Sequence, residues 1–168
     1  PTGGGTSEVF DGPLEVLRYG PEGEQALVDA IRVSFNQPMI PLSAIEDLRA
    51  KEVPVKIDPM PEGQWRWLGT RTVAFYPDGR LPFSTEYTVS IPEGVKSTSG
   101  NELKKSVSFE VATPTLKIAS ATPWREARQV RLESDVVLTF NQPVNAAAIA
   151  DKITIKGGGK SVDFTLAK

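Results

Sequence analysis

The chain has 168 residues, of which 39% are apolar and 24% charged, a balance that allows a folded core and excludes an intrinsically disordered chain. Its 19 basic and 21 acidic side chains leave a formal net charge of −2, so no global field attracts nucleic acid or anionic lipid. The chain has neither His nor Cys, which excludes histidine-based triads, the usual zinc sites, iron–sulfur clusters and disulfides.

The predicted elements begin after a flexible start. Residues 1–13 open with Gly, Thr and Ser, which bury little surface, so we predict a linker there. From Leu14 onward apolar and polar residues alternate, as they do in half-buried strands. Seven strands are predicted before Pro114: 14–19, 29–35, 53–57, 64–68, 71–76, 86–91 and 105–111. Short strands separated by Gly, Pro, Asn and Asp predict a two-sheet antiparallel sandwich over residues 14–113.

One short helix is predicted between the strands. Ser43 and Glu46 form a capping box, in which each side chain accepts a hydrogen bond from the other residue's backbone amide, so a helix is expected near 44–50. The predicted core consists of the apolar residues that share the inner strand faces: Ile31, Val33, Phe35, Phe75, Tyr87, Val89, Val107 and Phe109.

An internal repeat determines the predicted domain organisation. The eight residues 32–39 recur 105 residues later as 137–144, and both copies contain Phe-Asn-Gln-Pro. Upstream, residues 14–17 correspond to 116–119, and downstream 43–55 corresponds to 145–155, so the repeat has the length of one sandwich domain. We therefore predict a second sandwich, residues 114–168, which is incomplete because it lacks its last three or four strands. We expect the natural chain to continue past Lys168 rather than a second chain to supply those strands.

The repeated motif is interpreted as structural. Phe ends a strand in the core, Asn and Gln bind backbone groups in the turn, and Pro stops the strand from continuing. A ligand site would have little reason to be duplicated in the same turn of two domains.

Four residues form the candidate contact surface: Trp65, Trp67, Asp78 and Arg80. The two indoles share one strand face, so they either stack against a sugar or a partner, or pack across to the next strand inside the domain. Asp78 and Arg80 lie in a Pro-Asp-Gly turn, and a lone Asp does not supply the six to eight oxygens that calcium prefers.

No other pattern indicates chemistry. The cationic stretch 124–131 is too short and too diluted by Glu126 for nucleic acid. The adjacent carboxylates Glu46 and Asp47 cannot be placed across a cleft from sequence. No apolar run approaches the ~20 residues that span a bilayer. We therefore predict no enzyme, no cofactor, no metal, no nucleic-acid partner and no direct membrane insertion.

A family resemblance rests on two blocks. Residues 64–77, Gln-Trp-Arg-Trp-Leu-Gly-Thr-Arg-Thr-Val-Ala-Phe-Tyr-Pro, and 81–89, Leu-Pro-Phe-Ser-Thr-Glu-Tyr-Thr-Val, resemble an N-terminal macroglobulin-type domain of bacterial alpha-2-macroglobulins. The Phe-Asn-Gln-Pro strands also resemble bacterial Ig-like domains of envelope proteins. The resemblance covers residues 14–168 and implies an all-β fold: tandem Ig-like, macroglobulin-type antiparallel sandwiches with a short helix after the Phe-Asn-Gln-Pro turn.

The resemblance implies a non-catalytic scaffold segment of a protein that traps proteases when a bait segment is cut. The family's thioester motif is Cys-x-Glu-Gln, but the nearest string here, Glu-Gly-Glu-Gln at 22–25, has no thiol, so no reactive residue carries over. The implied partners are other domains of the parent chain and, through the full-length protein, host or environmental proteases. The implied location is the periplasm or cell envelope, with a lipid anchor in many members. The alternative is a generic Ig-like module of a bacterial surface or adhesion protein.

Overall fold

The computed structural model describes residues 11–42, 53–124, 127–131 and 133–166. The helix predicted near 44–50, including Glu46 and Asp47, and the first ten residues of the predicted linker lie outside this part of the chain, as does Glu126. The chain divides between Thr115 and Leu116 into two compact units, here called the first and the second unit.

The first unit is a sandwich of two four-stranded sheets. Sheet 1 is antiparallel and has the order β1-β3-β6-β5; sheet 2 has the order β2-β8-β7-β4 and is antiparallel except where β2 runs parallel to β8. The strands are β1 (Val16–Gly20), β2 (Gly23–Glu24), β3 (Ile31–Phe35), β4 (Lys56–Asp58), β5 (Gly63–Trp67), β6 (Thr72–Pro77), β7 (Glu86–Ile91) and β8 (Val107–Ala112). The predicted all-β sandwich is confirmed, and the two-residue strand β2 is the element that the prediction missed.

The core lies between the two sheets because alternate residues of each strand point inward. Seven of the eight predicted core residues are buried: Ile31, Val33, Phe35, Phe75, Tyr87, Val89 and Phe109. The eighth, Val107, is only partly buried and packs against the edge of this cluster, because it is the first residue of β8. Burying one such large apolar side chain contributes about 1.5–3 kcal/mol.

The second unit contains two strand pairs and one helix among its described residues. β9 (Ile118–Thr122) pairs antiparallel with β10 (Val137–Phe140), and β11 (Ile155–Gly157) pairs with β12 (Lys160–Val162). Helix α1 (Ala146–Ile149) follows the second Phe-Asn-Gln-Pro turn, and a 3-10 turn (Ala150–Lys152) extends it. The Oδ1 atom of Asn145 caps α1 by accepting from the amides of Ala147 at 3.1 Å and Ala148 at 3.4 Å.

The sequence repeat is also a repeat of strand register. Val16 lies opposite Phe35 in β1 and β3, and Ile118 lies opposite Phe140 in β9 and β10. In both pairs the register shifts next to this Phe. The β1–β3 pair and the β9–β10 pair are therefore two copies of one structural unit.

The two copies differ in how far their apolar residues are buried. Ile31 is 0% exposed and its repeat equivalent Val136 is 48% exposed; Leu14 is 1% exposed and its equivalent Leu116 is 42% exposed. Sheet 2 covers these positions in the first unit, whereas none of the residues described between 116 and 166 is buried. The apolar face of β9 and β10 is thus exposed in the second unit.

Candidate contact surface

The β5–β6 hairpin positions the two indoles of the predicted contact surface. Trp67 lies opposite Val73 and Trp65 lies opposite Phe75. Trp67 is 4% exposed and belongs to the core, so its ring is not available to a partner in the folded domain. Trp65 is half-buried and meets the Phe75 ring edge-on, with a centroid distance of 5.2 Å. Cross-strand packing thus accounts for both side chains, and only Trp65 keeps an accessible part.

Phe75 also explains the glycine at the start of β5. A Cβ atom at Gly63 would collide with the Cζ atom of Phe75 and with the carbonyl oxygen of Tyr76. Gly63 and Trp65 lie on the same face of β5, so the Phe75 ring occupies the space beside the indole that a side chain at 63 would need. The inner face of the hairpin is therefore closely packed.

Asp78 and Arg80 lie in the turn that follows β6. Both are exposed. The Asp78 amide donates to the Glu62 carbonyl at 3.1 Å, which closes the turn against the start of β5. An Arg80 Nη2 donates to the Ala26 carbonyl at 3.2 Å, and the guanidinium lies 4.3 Å from the centroid of the Phe83 ring. The exposed Arg80 thus also fastens the loop before β3.

The polar groups of the first Phe-Asn-Gln-Pro motif are used by the fold. Asn36 Oδ1 accepts from the Glu15 amide at 2.8 Å, and Asn36 Nδ2 donates to the Pro13 carbonyl at 3.1 Å. In the second copy Asn141 Oδ1 accepts from the Lys117 amide at 2.8 Å. These bonds confirm the structural interpretation of the motif.

Gln37, which was predicted to bind backbone groups in the turn, binds backbone groups of the segment before β1 instead. It is 2% exposed. Its Nε2 donates to the carbonyls of Gly12 at 3.1 Å and Pro13 at 3.2 Å, and its Oε1 accepts from Ser97 Oγ and Asn101 Nδ2, both at 2.9 Å. The amide thus joins three segments of chain and keeps no hydrogen-bonding capacity for a ligand.

An open groove of about 340 Å³ lies beside the start of β1. Leu14, Val16 and Leu103 give it apolar walls, and the exposed Lys104 and Lys105 also line it.

Across the described ranges, no three carboxylates come together as a metal site would require. Of the helices that the structure describes, none has the length and apolar character needed to cross a bilayer.

The chain is similar to one known domain family and to parts of two longer proteins. A family model described as a bacterial Ig-like domain matches residues 12–113. An alpha-2-macroglobulin homologue from Nostoc sp. is 24% identical over 157 residues, which cover 89% of this chain and 8% of that protein. The circularly permutated Ras protein 2 of Dictyostelium discoideum is 28% identical over 94 residues, which cover 51% of this chain and 2% of that protein. The chain thus spans less than a tenth of the length of these curated relatives.

Two solved structures are similar to part of the chain. The native alpha-2-macroglobulin of Escherichia coli, in a structure spanning domains MG0-NIE-MG1, is 15% identical with a TM-score of 0.40, and the match covers 64% of this chain and 35% of that chain. An L,D-transpeptidase from Mycobacterium smegmatis is 17% identical with a TM-score of 0.39, and the match covers 61% of this chain and 41% of that chain.

Proposed function

We propose that this chain, which belongs to the bacterial Ig-like domain family, is a non-catalytic scaffold segment of an alpha-2-macroglobulin-like protein that traps and inhibits proteases in the cell envelope. The observation that carries this proposal is the extent of the Nostoc match. It runs over 157 residues, so it includes both units and the connection between them rather than one sandwich alone.

The contacts of the first unit support a scaffold role. Its core joins both sheets, and the Gln37 amide ties the segment before β1 to the loop after β7. A domain fastened in this way keeps its own shape, which is what a large trap needs from each part of its framework. Its partners are then other domains of the parent chain, with Trp65, Asp78 and Arg80 as candidate contacts, and proteases meet the full-length protein rather than this segment.

The alternative is a generic Ig-like module of a bacterial surface or adhesion protein. The family match to residues 12–113 favours it, since that match describes the sandwich and nothing of a trap. Both functions place the chain in the periplasm or elsewhere in the envelope, and they differ in what the rest of the parent protein does.

An inhibition assay separates the two. A broad-specificity protease is incubated either with this chain or with the full-length parent, and its activity is then measured on a large protein and on a small peptide. A trap should block cleavage of the large substrate while the small one still reaches the enclosed protease. We expect the parent to do this and the isolated chain to inhibit neither reaction.

Two outcomes would contradict the proposal. Stoichiometric inhibition by the isolated chain would place an inhibitory site here, and Trp65→Ala and Arg80→Ala would then be the first variants to examine. A parent that leaves cleavage of both substrates unchanged would support the adhesion module instead.

A further inference from the structure

The outer face of sheet 1 carries positive charge only. Arg18 on β1, Arg32 on β3 and Arg66 on β5 point away from the core and are exposed, and we call these three residues the cationic face. The other outward positions of the four strands hold Gly, Ser, Gln, Thr, Ala or Tyr, and the exposed Leu17 lies at the register shift in β1. A chain with a net charge of −2 therefore presents one sheet surface without a carboxylate.

Two of these arginines have a fixed separation. Arg32 lies opposite Ala74, and Ala74 lies opposite Arg66, so the arginines are two strands apart. With neighbouring strands about 4.8 Å apart, their Cα atoms are about 10 Å apart. Within the part of the chain that the structure describes, no carboxylate lies at ion-pair distance from the three arginines.

The pairing of β1 with β3 does not require Arg18 or Arg32. In the second unit, Ser120 occupies the position of Arg18 and Val137 occupies that of Arg32, yet the strands pair in the same register. The cationic face is thus a property of the first unit and not of this strand arrangement.

The outer face of sheet 2 has the opposite charge. Asp58 on β4, Glu86 on β7 and Glu110 on β8 are exposed and form what we call the acidic face, where Lys56 is the single outward base of these three strands. Asp58 lies opposite Thr88, and Thr88 lies opposite Glu110. The two carboxylates are therefore also two strands apart, at the same spacing of about 10 Å.

We propose that the cationic face of one copy of this chain docks on the acidic face of a second copy, with Arg32 and Arg66 meeting Glu110 and Asp58. The equal separations let both pairs form at once, and the planar guanidinium can bind a carboxylate through two hydrogen bonds. The two faces lie on opposite sides of the sandwich, so the contact is head-to-tail and extends into a linear array. Exposed ion pairs are individually weak and screened by salt, so the array forms at high protein concentration and low ionic strength.

Sedimentation velocity tests the proposal on the full chain. At about 10 mM salt, where the Debye length is about 30 Å, the average mass should rise with protein concentration; at about 1 M salt, where it is about 3 Å, the chain should be monomeric. R32Q/R66Q removes the cationic pair, and D58N/E110Q removes the acidic pair. Each variant should self-associate at least about tenfold more weakly than the natural chain.

A mixture of the two variants gives the sharpest result. R32Q/R66Q keeps only the acidic pair and D58N/E110Q keeps only the cationic pair, so an equimolar mixture should form heterodimers and nothing larger. The control K104Q/K105Q removes two positive charges outside both faces and should associate like the natural chain.

Other outcomes overturn the proposal. A chain that stays monomeric at low salt would show that the faces do not bind each other. Association that persists at 1 M salt would point to apolar contacts such as the exposed face of β9 and β10. If K104Q/K105Q weakened self-association as much as the face variants do, the cause would be the net charge of the chain rather than the two faces. Binding of a polyanion such as heparin without self-association would assign the arginines to a different partner.

Discussion

Replacing Phe35 by Ala removes the ring with which β3 ends in the core, and we expect the first unit to lose roughly 3–5 kcal/mol of its free energy of unfolding. Phe35 is 1% exposed and belongs to the cluster between the sheets. An aromatic side chain buries about 150–250 Å², which at about 25 cal/mol per Å² corresponds to about 4–6 kcal/mol. Because Ala keeps the Cβ atom, the transfer energy lost in Phe35→Ala is smaller than that of the whole side chain. The cavity left by the ring adds a further loss of stability, so the two corrections partly cancel.

The repeat supplies a matched control. Phe140 occupies the same position of the second Phe-Asn-Gln-Pro motif but is only partly buried, and none of the residues described around it in the second unit is buried. Phe140→Ala should therefore cost less than about 1 kcal/mol. The identical substitution in the identical motif thus isolates the effect of the covering sheet.

Urea unfolding followed by tryptophan fluorescence measures Phe35→Ala, and native-state amide exchange in β9 and β10 measures Phe140→Ala. Trp65 and Trp67 contact the core of the first unit, whereas Trp124 in the second unit is 73% exposed, so the signal reports mainly the first unit. The midpoint should fall in Phe35→Ala without a change in the slope of the transition. A loss under about 1 kcal/mol would show that the strand register is wrong, since a one-residue slip turns Phe35 outward. An equal loss in Phe140→Ala would show that the second unit is covered as well.

Three further predictions concern the same architecture. Gln37→Ala should cost about 2–3 kcal/mol in thermal unfolding because four hydrogen-bonding partners lose the buried amide, and an unchanged midpoint would contradict this role. Gly63→Ala should cost about 1–3 kcal/mol because its Cβ collides with Phe75, while Gly79→Ala, whose Cβ meets nothing within 4 Å, should stay near zero in the same urea assay. Amide exchange should be faster in β9 and β10 than in β1 and β3, and equal protection would mean that another segment covers the second unit.

Sequence reasoning recovered the features that depend on near neighbours in the chain. The alternation Ile31, Val33, Phe35 fixes which face of β3 is apolar, because side chains of a strand alternate between its two sides. The Phe-Asn-Gln-Pro repeat likewise identified two copies of one strand pair, since the same turn residues bind the same backbone groups in both copies. These features were predicted correctly because each depends on a short stretch of chain.

The sequence by itself determined an all-β chain with an inner and an outer face on each main strand, whereas the tertiary structure decided how those faces are used. Trp65 and Trp67 have the same local pattern, yet only Trp67 is in the core, because burial depends on what the opposite sheet brings against each position. The Oε1 atom of Gln37 finds Ser97 Oγ 60 residues away, a contact that no local pattern contains. The separation of arginines and carboxylates onto opposite outer faces likewise follows from which strands are neighbours, and strand order is set by long-range packing rather than by the alternation within any one strand.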